Sequence, residues 1–201
     1  MQMNQRVANM STVETNLTLY KEAVNRYAKD GTNYLFHNSG NDHALIICSS
    51  IFSHSVNNVR IAAHKLCNNE VVNQPDYVES MKRFLDQKGS ILHIILTLCP
   101  KAEEINKEKG FYHMLYHHPA YKDKRIIIKD GGGKHFSDAS GNEVNFCTGD
   151  DRMYRVEQDV DQRKAIANFG DTHTAQILSG AFDRVFNQLQ TVVELRNFFE
   201  G

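Results

Sequence analysis

Residues 145–169, NFCTGDDRMYRVEQDVDQRKAIANF, carry the most fold information in this chain. They predict a strand, a tight polar turn at Gly149, Asp150 and Asp151, and a second strand over residues 153–157. A charged loop, an Ala-Asn-Phe strand end and a long amphipathic helix follow. We therefore expect polar side chains to gather at one mouth of a sheet.

The composition indicates one globular domain. The chain has 201 residues, of which 41% are hydrophobic and 23% charged, with a formal net charge of −1. This balance gives no global attraction to nucleic acid or membrane. Residues 1–11 are polar and predict a flexible tail, which leaves 12–201 as a single domain. No segment approaches the ~18 apolar residues of a membrane span, and the first residues lack the apolar core of a signal peptide.

The cysteines also favour a cytoplasmic protein. Cys48, Cys67, Cys99 and Cys147 are far apart and form no C-x-x-C pair. Scattered cysteines of this kind are most simply reduced and buried, with a disulfide or zinc site as the alternatives. We therefore expect a cytoplasmic protein without cofactor or metal.

The hydrophobic periodicity predicts an α/β domain. A helix over residues 12–28 ends near Gly31, and a second helix is N-capped by Asn41 or Asp42. Pro75 begins a further helix between two apolar strands, which predicts a βαβ unit. The other predicted elements are an extended segment at 34–41, strands at 59–66, 91–98 and 125–129, a helix at 101–110, and a final helix from 171 or 172. The fold class is thus a mixed β-sheet with helices on both faces.

This order of elements resembles one lobe of the phospholipase D-like fold, with its degenerate members the nearest likeness. The family carries a His-x-Lys strand, an Asp a few residues on, and a Gly-Ser-x-x-Asn strand end. Several non-catalytic relatives instead show Asp-Gly, Tyr-Arg-x-Glu and Ala-x-x-Asn-Phe. The matching segments here are Asp150-Asp151, Tyr154-Arg155-Val156-Glu157 and Ala165-Ile166-Ala167-Asn168-Phe169, and the likeness spans residues 41–195.

The chain departs from the family pattern at the residues that catalyse the family's reaction. Asn145 is the nearest residue to the place of the nucleophilic His, no Lys follows two residues later, and the Gly-Ser is missing. The family's mechanism needs a His to attack phosphorus and a Lys to hold the phosphoryl oxygens. The resemblance therefore implies a lobe without a functional His-Lys-Asp set. It also implies a homodimer or a related protein partner, since single lobes of this family usually pair.

The candidate ligand site centres on Arg155 and Glu157, which alternate along a strand and so share a face. One interpretation is a salt-bridged pair on a solvated strand. The other is an Arg oriented by Glu157 that presents its fork to a phosphate or carboxylate. Asp150, Asn168 and Tyr154 complete the predicted ligand-binding set, which contains no catalytic residue.

The histidines offer further candidates. The segment from His37 to Ser39 precedes a helix and is either an anion site or a capping turn. His64 and Lys65 are adjacent, point to opposite faces and cannot act as a His-x-Lys pair. His113, His117 and His118 are either surface residues or zinc ligands without a completing partner. Asp171 and His173 are either a helix cap with an exposed His or a catalytic dyad, and the cap is favoured.

A glycine run also invites comparison with a phosphate loop. Asp130 is followed by three glycines, Lys134 and His135. The Walker pattern requires Ser or Thr directly after the Lys, so a flexible hairpin turn is favoured. A mild excess of Lys and Arg over residues 101–134 makes nucleic acid worth testing as a ligand.

Three functions remain open at this stage. The first is a non-catalytic binding or regulatory module for a phosphate-bearing or nucleic-acid ligand, in a bacterial defence or mobile-element context. The second is a phosphodiester hydrolase or nuclease that uses a non-standard His site. The third is a protein–protein adaptor without a ligand. The enzyme hypothesis requires at least two histidines to meet Asp150 or Glu157 in one cleft.

Overall fold

The computed structural model describes residues 2–159, 162 and 164–200, with side chains from Glu14 onward. The helices are α1 Gln2–Asp30, α2 Gly40–Ser53, α3 Pro75–Asp86, α4 Phe111–His117, α5 Pro119–Lys122, α6 Thr172–Gln188 and α7 Arg196–Phe199. The strands are β1 Phe36–Asn38, β2 Asn58–Ala63, β3 Ile91–Leu96, β4 Ile126–Asp130, β5 Phe136–Ser137, β6 Glu143–Val144, β7 Phe146–Gly149, β8 Met153–Asp159 and β9 Lys164–Asn168.

Seven strands form one mixed sheet in the order β1-β9-β8-β7-β2-β3-β4, and β5 and β6 form a separate hairpin. The β2-β3 and β3-β4 pairs are parallel, whereas the pairs that link β2, β7, β8, β9 and β1 are antiparallel. Strands β1, β8, β2, β3 and β4 therefore all point the same way. Their carboxyl ends, together with the starts of β7 and β9, make up one edge of the sheet, here called the carboxyl edge.

Helices cover both faces of this sheet, as predicted. Helices α1, α2 and α3 cover one face over a large apolar core that includes Ile47, Phe52 and Phe84. Helix α6 covers the other face, where Phe146 packs with Phe182 and Phe186. Alternation along the strands decides which residues meet which helix layer. Arg155 and Glu157 face α2, whereas Tyr154 and Val156 face α6.

Local sequence signals explain several elements. Pro75 begins α3, as predicted, and lies at the first helical position, where a missing N–H is tolerated. Asp150 and Asp151 have φ values of 50° and 53°, which fit the tight turn between β7 and β8. The β2-α3-β3 segment is the predicted βαβ unit.

Two local predictions are wrong. Residues 101–110 contain only a 3-10 turn at Ala102–Glu104. The side chain of Asn106 accepts hydrogen bonds from the backbone N–H groups of Glu108 and Lys109, and so competes with helix formation. Helix α2 begins at Gly40 after Ser39, so neither Asn41 nor Asp42 is its N-cap.

The beginning of the chain limits one further comparison. Helix α1 starts at Gln2, but Met1 and the side chains of residues 2–13 lie outside the described structure. The flexible tail predicted for residues 1–11 therefore stays a prediction. Within the described residues, no helix is both long enough and apolar enough to cross a membrane.

Candidate functional site at the carboxyl edge

Arg155 and Glu157 form a buried ion pair on β8. Both guanidinium Nη atoms of Arg155 lie 3.1 Å from Oε1 of Glu157. Only 6% of Arg155 and 5% of Glu157 is exposed. The pair is therefore neither the solvated strand pair nor an open fork of the two sequence interpretations. It is buried beneath α2.

Two asparagines converge on this pair, Asn38 from β1, which is two strands away, and Asn145 from the residue before β7. The Asn145 side chain donates to Oε2 of Glu157 at 3.1 Å. Nε of Arg155 lies 3.4 Å from Oδ1 of Asn38, which is a long hydrogen bond. Asn38 also donates to the carbonyl of Ala165. The ion pair is thus held by β1, β8 and the start of β7.

Small side chains beside the pair leave a cavity of about 110 Å³. Ala63 and Ala44 line it together with Arg155, Glu157 and Asn145. The other lining residues are Cys48, Ile61, Ala62, His64, Leu66, Asn68, Val71, Val72, Tyr77, Phe146 and Cys147. An apolar cavity with a few convergent polar groups is the usual form of a small-molecule site.

The positive and negative charges that line the cavity nearly cancel. Burial acts to lower the pKa of Arg155, but the fields of Cys48 and Glu157 outweigh it and raise the pKa above its usual value. Arg155 is therefore charged, and Glu157 compensates it. Nδ1 of His64, which lines the cavity, lies 3.5 Å from the Glu143 carboxylate. A second carboxylate near the cavity disfavours an anion inside it.

Asp150 lies elsewhere and holds a turn. Its carboxylate accepts hydrogen bonds of 2.6, 2.7 and 2.9 Å from the backbone N–H groups of Val56, Asn57 and Asn58. It thereby ties the β7-β8 turn to the loop before β2, at the edge of the sheet opposite the carboxyl edge. The structure does not bring Asp150 together with Arg155.

Asn168 and Tyr154 lie on the α6 face of the sheet. Oδ1 of Asn168 accepts from the N–H groups of Gly170 and Asp171, and so shapes the turn into α6. The Tyr154 hydroxyl lies 3.3 Å from the Asp171 carboxylate. Of the five predicted ligand-binding residues, only Arg155 and Glu157 therefore line the cavity, whereas Tyr154 and Asn168 lie together on the opposite face.

The histidines do not converge. Among those in the described residues, only His64 lines the cavity with Glu157. His37 and His173 are exposed, and His173 lies in the first turn of α6 beyond its N-cap, Asp171. The convergence of two histidines that the enzyme hypothesis requires is thus not seen in the described chain.

The α4 histidines have local partners. The rings of His113 and His117 pack at 4.4 Å between centroids, and Nδ1 of His113 lies 2.7 Å from the Lys107 carbonyl. His118 is buried between Asp86 and the N–H of Ala120. No group of three or more His, Cys, Asp or Glu in the described residues is placed to hold a metal ion.

None of the four cysteines forms a disulfide. Cys48 and Cys147 are buried and line the cavity, whereas Cys67 and Cys99 are half-buried. Burial, together with nearby Asp130, raises the pKa of Cys99 to about 11. A thiol with a raised pKa is a weak nucleophile.

The glycine run is a turn anchored on β3. The Gly131 N–H donates to the Leu96 carbonyl at 2.7 Å, and the Gly133 N–H donates to the Thr97 carbonyl at 2.8 Å. A side chain at Gly131 would lie 2.8 Å from that Leu96 oxygen, which explains the glycine. Lys134 and His135 follow in exposed positions at the carboxyl edge.

Sequence reasoning missed the role of Asn38 and Asn145 in holding the ion pair. The alternation of Phe36, His37 and Asn38 could have placed Asn38 on the buried face. The link between Asn145 and Glu157 depends on strand register, which the sequence does not specify by itself.

Comparisons with known proteins agree with this fold. No protein-family model and no curated protein sequence matches the chain. Among solved structures, the archaeal chromatin protein TrmBL2, described as showing a novel mode of DNA binding, aligns with a TM-score of 0.55 and 11% identity, over 95% of this chain and 68% of its own. NucT from Helicobacter pylori aligns with a TM-score of 0.50 and 13% identity, over 79% of this chain and 99% of its own.

A third similar structure is a member of the phospholipase D family. Nuc, a phospholipase D family member from Salmonella typhimurium, aligns with a TM-score of 0.50 and 11% identity, over 80% of this chain and 98% of its own. The fold is that of the phospholipase D family. The phospholipase D-like fold expected from residues 41–195 is thus confirmed, and at these identities the likeness concerns the fold alone.

Proposed function

We propose that this phospholipase D-like chain is a non-catalytic module that binds nucleic acid. The observation that carries the proposal is the buried Arg155–Glu157 pair. Asn145, which the sequence comparison puts nearest the place of the nucleophilic His, lies just before β7. Arg155 and Glu157 instead have the i, i+2 spacing of the family's His-x-Lys pair, on the strand beside the Asn-bearing strand β9. Neither side chain can act as that His and Lys do, because an arginine is not a nucleophile and a carboxylate repels phosphoryl oxygens.

Nucleic acid is the ligand class that the surroundings favour. TrmBL2, an archaeal chromatin protein that binds DNA, shares the fold over most of this chain. Lys101, Lys134 and His135 are exposed beyond the carboxyl ends of β3 and β4, on the edge where the cavity lies. Exposed cations attract phosphates without sequence preference. The phosphates would thus bind on this surface, outside the neutral cavity.

A single experiment tests both parts of the proposal. A fluorescently labelled single-stranded oligonucleotide is incubated with the protein and divided between a native and a denaturing gel. The expected result is a shifted band on the native gel and an intact strand on the denaturing gel.

The double variant Lys101→Ala, Lys134→Ala should bind more weakly, and its affinity should depend less on salt. Ser140→Ala, in the exposed turn between β5 and β6, is the matched control. An unshifted strand would overturn binding, and a shortened strand would overturn the non-catalytic role.

Two converging histidines are not seen in the described residues, so a hydrolase would have to rely on a single histidine. Such a phosphodiester hydrolase is the second candidate, because His64 lines the cavity and pairs with Glu143. A histidine polarised by a carboxylate can act as nucleophile or base. This candidate predicts turnover of bis(p-nitrophenyl) phosphate that His64→Ala abolishes. Turnover that His64→Ala leaves unchanged would point to a contaminating enzyme.

We also propose that the chain forms a homodimer, as the family resemblance implies. Light scattering at micromolar concentration should then give about twice the chain mass of 23.0 kDa. A mass of one chain would remove this part of the proposal.

A further inference from the structure

The polar groups of the cavity differ from those of a phosphate site. A phosphate site presents several hydrogen-bond donors and a net positive charge. Here the donor Arg155 stands directly beside the acceptor Glu157, and the charges of the pair cancel. Glu143 adds a further carboxylate at His64. A ligand that fits this arrangement is neutral and carries a donor next to an acceptor.

The volume of the cavity limits the size of the ligand that it can hold. A water molecule needs roughly 10–15 Å³ of such space, and the cavity has about 110 Å³. The cavity therefore has room for several water molecules, which is the scale of a pyrimidine ring. Its apolar wall consists of small aliphatic side chains, among them three alanines and two valines, together with the rings of Tyr77 and Phe146, which suits a flat ring.

We infer that the cavity accepts an unpaired cytosine base of a single-stranded nucleic acid. The exocyclic amino group of cytosine would donate to Glu157, and its ring nitrogen would accept from an Nη–H of Arg155 that is not directed at Glu157. Thymine and uracil present an oxygen where cytosine has the amino group, and this oxygen would face the Glu157 carboxylate. The inference rests on the proposed function, because the phosphates of the same strand would contact the cations outside the cavity.

The hydrogen bonds around the buried ion pair hold it in position and still allow it to bond to a ligand. Oε1 of Glu157 accepts from both Nη atoms of Arg155, and Oε2 accepts from Asn145. Each carboxylate oxygen and each guanidinium nitrogen can take part in more than one hydrogen bond. The pair is thereby fixed in position before a ligand arrives, which reduces the entropy cost of binding.

The test compares labelled (dC)12 and (dT)12 by fluorescence anisotropy at the same salt concentration. The wild-type protein should bind (dC)12 at least about tenfold more tightly, the effect of one well-matched base contact. Ala63→Leu fills the cavity and leaves the ion pair intact, so it should remove this preference. Ala139→Leu, at an exposed position in the β5-β6 turn, is the matched control and should keep it.

The outcomes separate this inference from the proposed function. Equal binding of (dC)12 and (dT)12 would overturn the cytosine site and leave nucleic-acid binding standing. If neither strand binds, the proposed function fails, and free cytidine becomes the probe. A cytidine-induced rise in melting temperature that Ala63→Leu abolishes would then support the cavity site, and no rise would overturn it.

Discussion

The two faces of the sheet each contain an arginine paired with a carboxylate, and the two pairs differ in what they connect. Arg60 on β2 faces α6, where Nε and Nη2 lie 2.8 and 3.0 Å from the two Asp183 oxygens. Its Nη1 also lies 2.9 Å from Asp151. This cluster joins a strand to the helix that covers it. Arg155 instead pairs with a residue two positions along its own strand.

The surroundings of the two arginines differ in the same way. Around Arg60, Ser179 bonds to Thr148, and the phenylalanines of the α6 layer fill the space beside the sheet. Around Arg155, alanines leave a cavity. An arginine–carboxylate pair therefore connects a strand to a helix on one face and lines the proposed ligand cavity on the other. The difference between the two arginines lies in the position of the carboxylate partner and in how closely the surrounding side chains pack.

The largest expected effect comes from removing one partner of the Arg155–Glu157 pair. Glu157→Ala should lower the free energy of unfolding by about 3–5 kcal/mol, because it leaves a buried guanidinium without its counter-charge. Adding Arg155→Met should recover part of this loss, because the double variant no longer contains a buried charge without its counter-charge. Urea unfolding of the two variants measures both values. A double variant as unstable as Glu157→Ala would mean that the pair stabilises the fold.

A smaller loss is expected on the α6 face. Asp183→Ala removes two charge-assisted hydrogen bonds from Arg60, which should cost about 2 kcal/mol of unfolding free energy. Asp183 is partly exposed and Asp151 still compensates Arg60, so the loss stays below that of Glu157→Ala. Oligonucleotide affinity should not change. A weakened affinity in the folded variant would show that the two faces are not separate in function.

The N-cap of α6 should contribute less again. Asp171 accepts from the Thr174 N–H, and this bonding lowers the pKa of the Asp171 carboxyl group. Asp171→Ala should therefore cost about 1 kcal/mol at neutral pH. Because the folded pKa lies below the usual value of 3.8, this contribution is present above pH 3.8 and fades as pH falls through the folded pKa. Equal losses at pH 7 and pH 2.5 in urea unfolding would contradict the assignment.

The smallest effect concerns His93, which stacks on Phe186 at 4.3 Å. Burial, with the charge of Arg60 and Lys129 against that of Asp183, lowers its pKa below 6.5. The unfolded chain then binds more protons just below pH 6.5, so stability decreases as pH falls through this range. His93→Leu should weaken that pH dependence, whereas exposed His135→Gln should leave it unchanged. Stability curves at pH 7.5 and 5.5 provide the comparison.

The sequence predicted those parts of the fold that depend on local pattern. The βαβ unit, the start of α3 at Pro75 and the turn at Asp150 follow from periodicity and turn chemistry, and the structure confirms them. The alternation of β8 also placed Arg155 and Glu157 on one face. The helix expected at residues 101–110 is wrong because Asn106 bonds to the backbone after it.

The site could be predicted only in part, because its other partners are distant in sequence. Asp150 was grouped with Arg155, but its carboxylate binds backbone groups of Val56 to Asn58, more than ninety residues earlier. Asn38 meets Arg155 across 117 positions. Such contacts depend on the strand order β1-β9-β8-β7-β2, which periodicity alone does not give.

The most direct test of the account follows the two arginines in one spectrum. The side-chain Nε–H signals of Arg155 and Arg60 can be assigned in ¹⁵N-labelled protein with the variants Arg155→Lys and Arg60→Lys, and then followed as (dC)12 is added. We predict that the Arg155 signal shifts with saturation and that the Arg60 signal stays in place. A saturating shift of Arg60 with Arg155 unchanged would contradict the account, and so would the absence of any shift while the strand is bound.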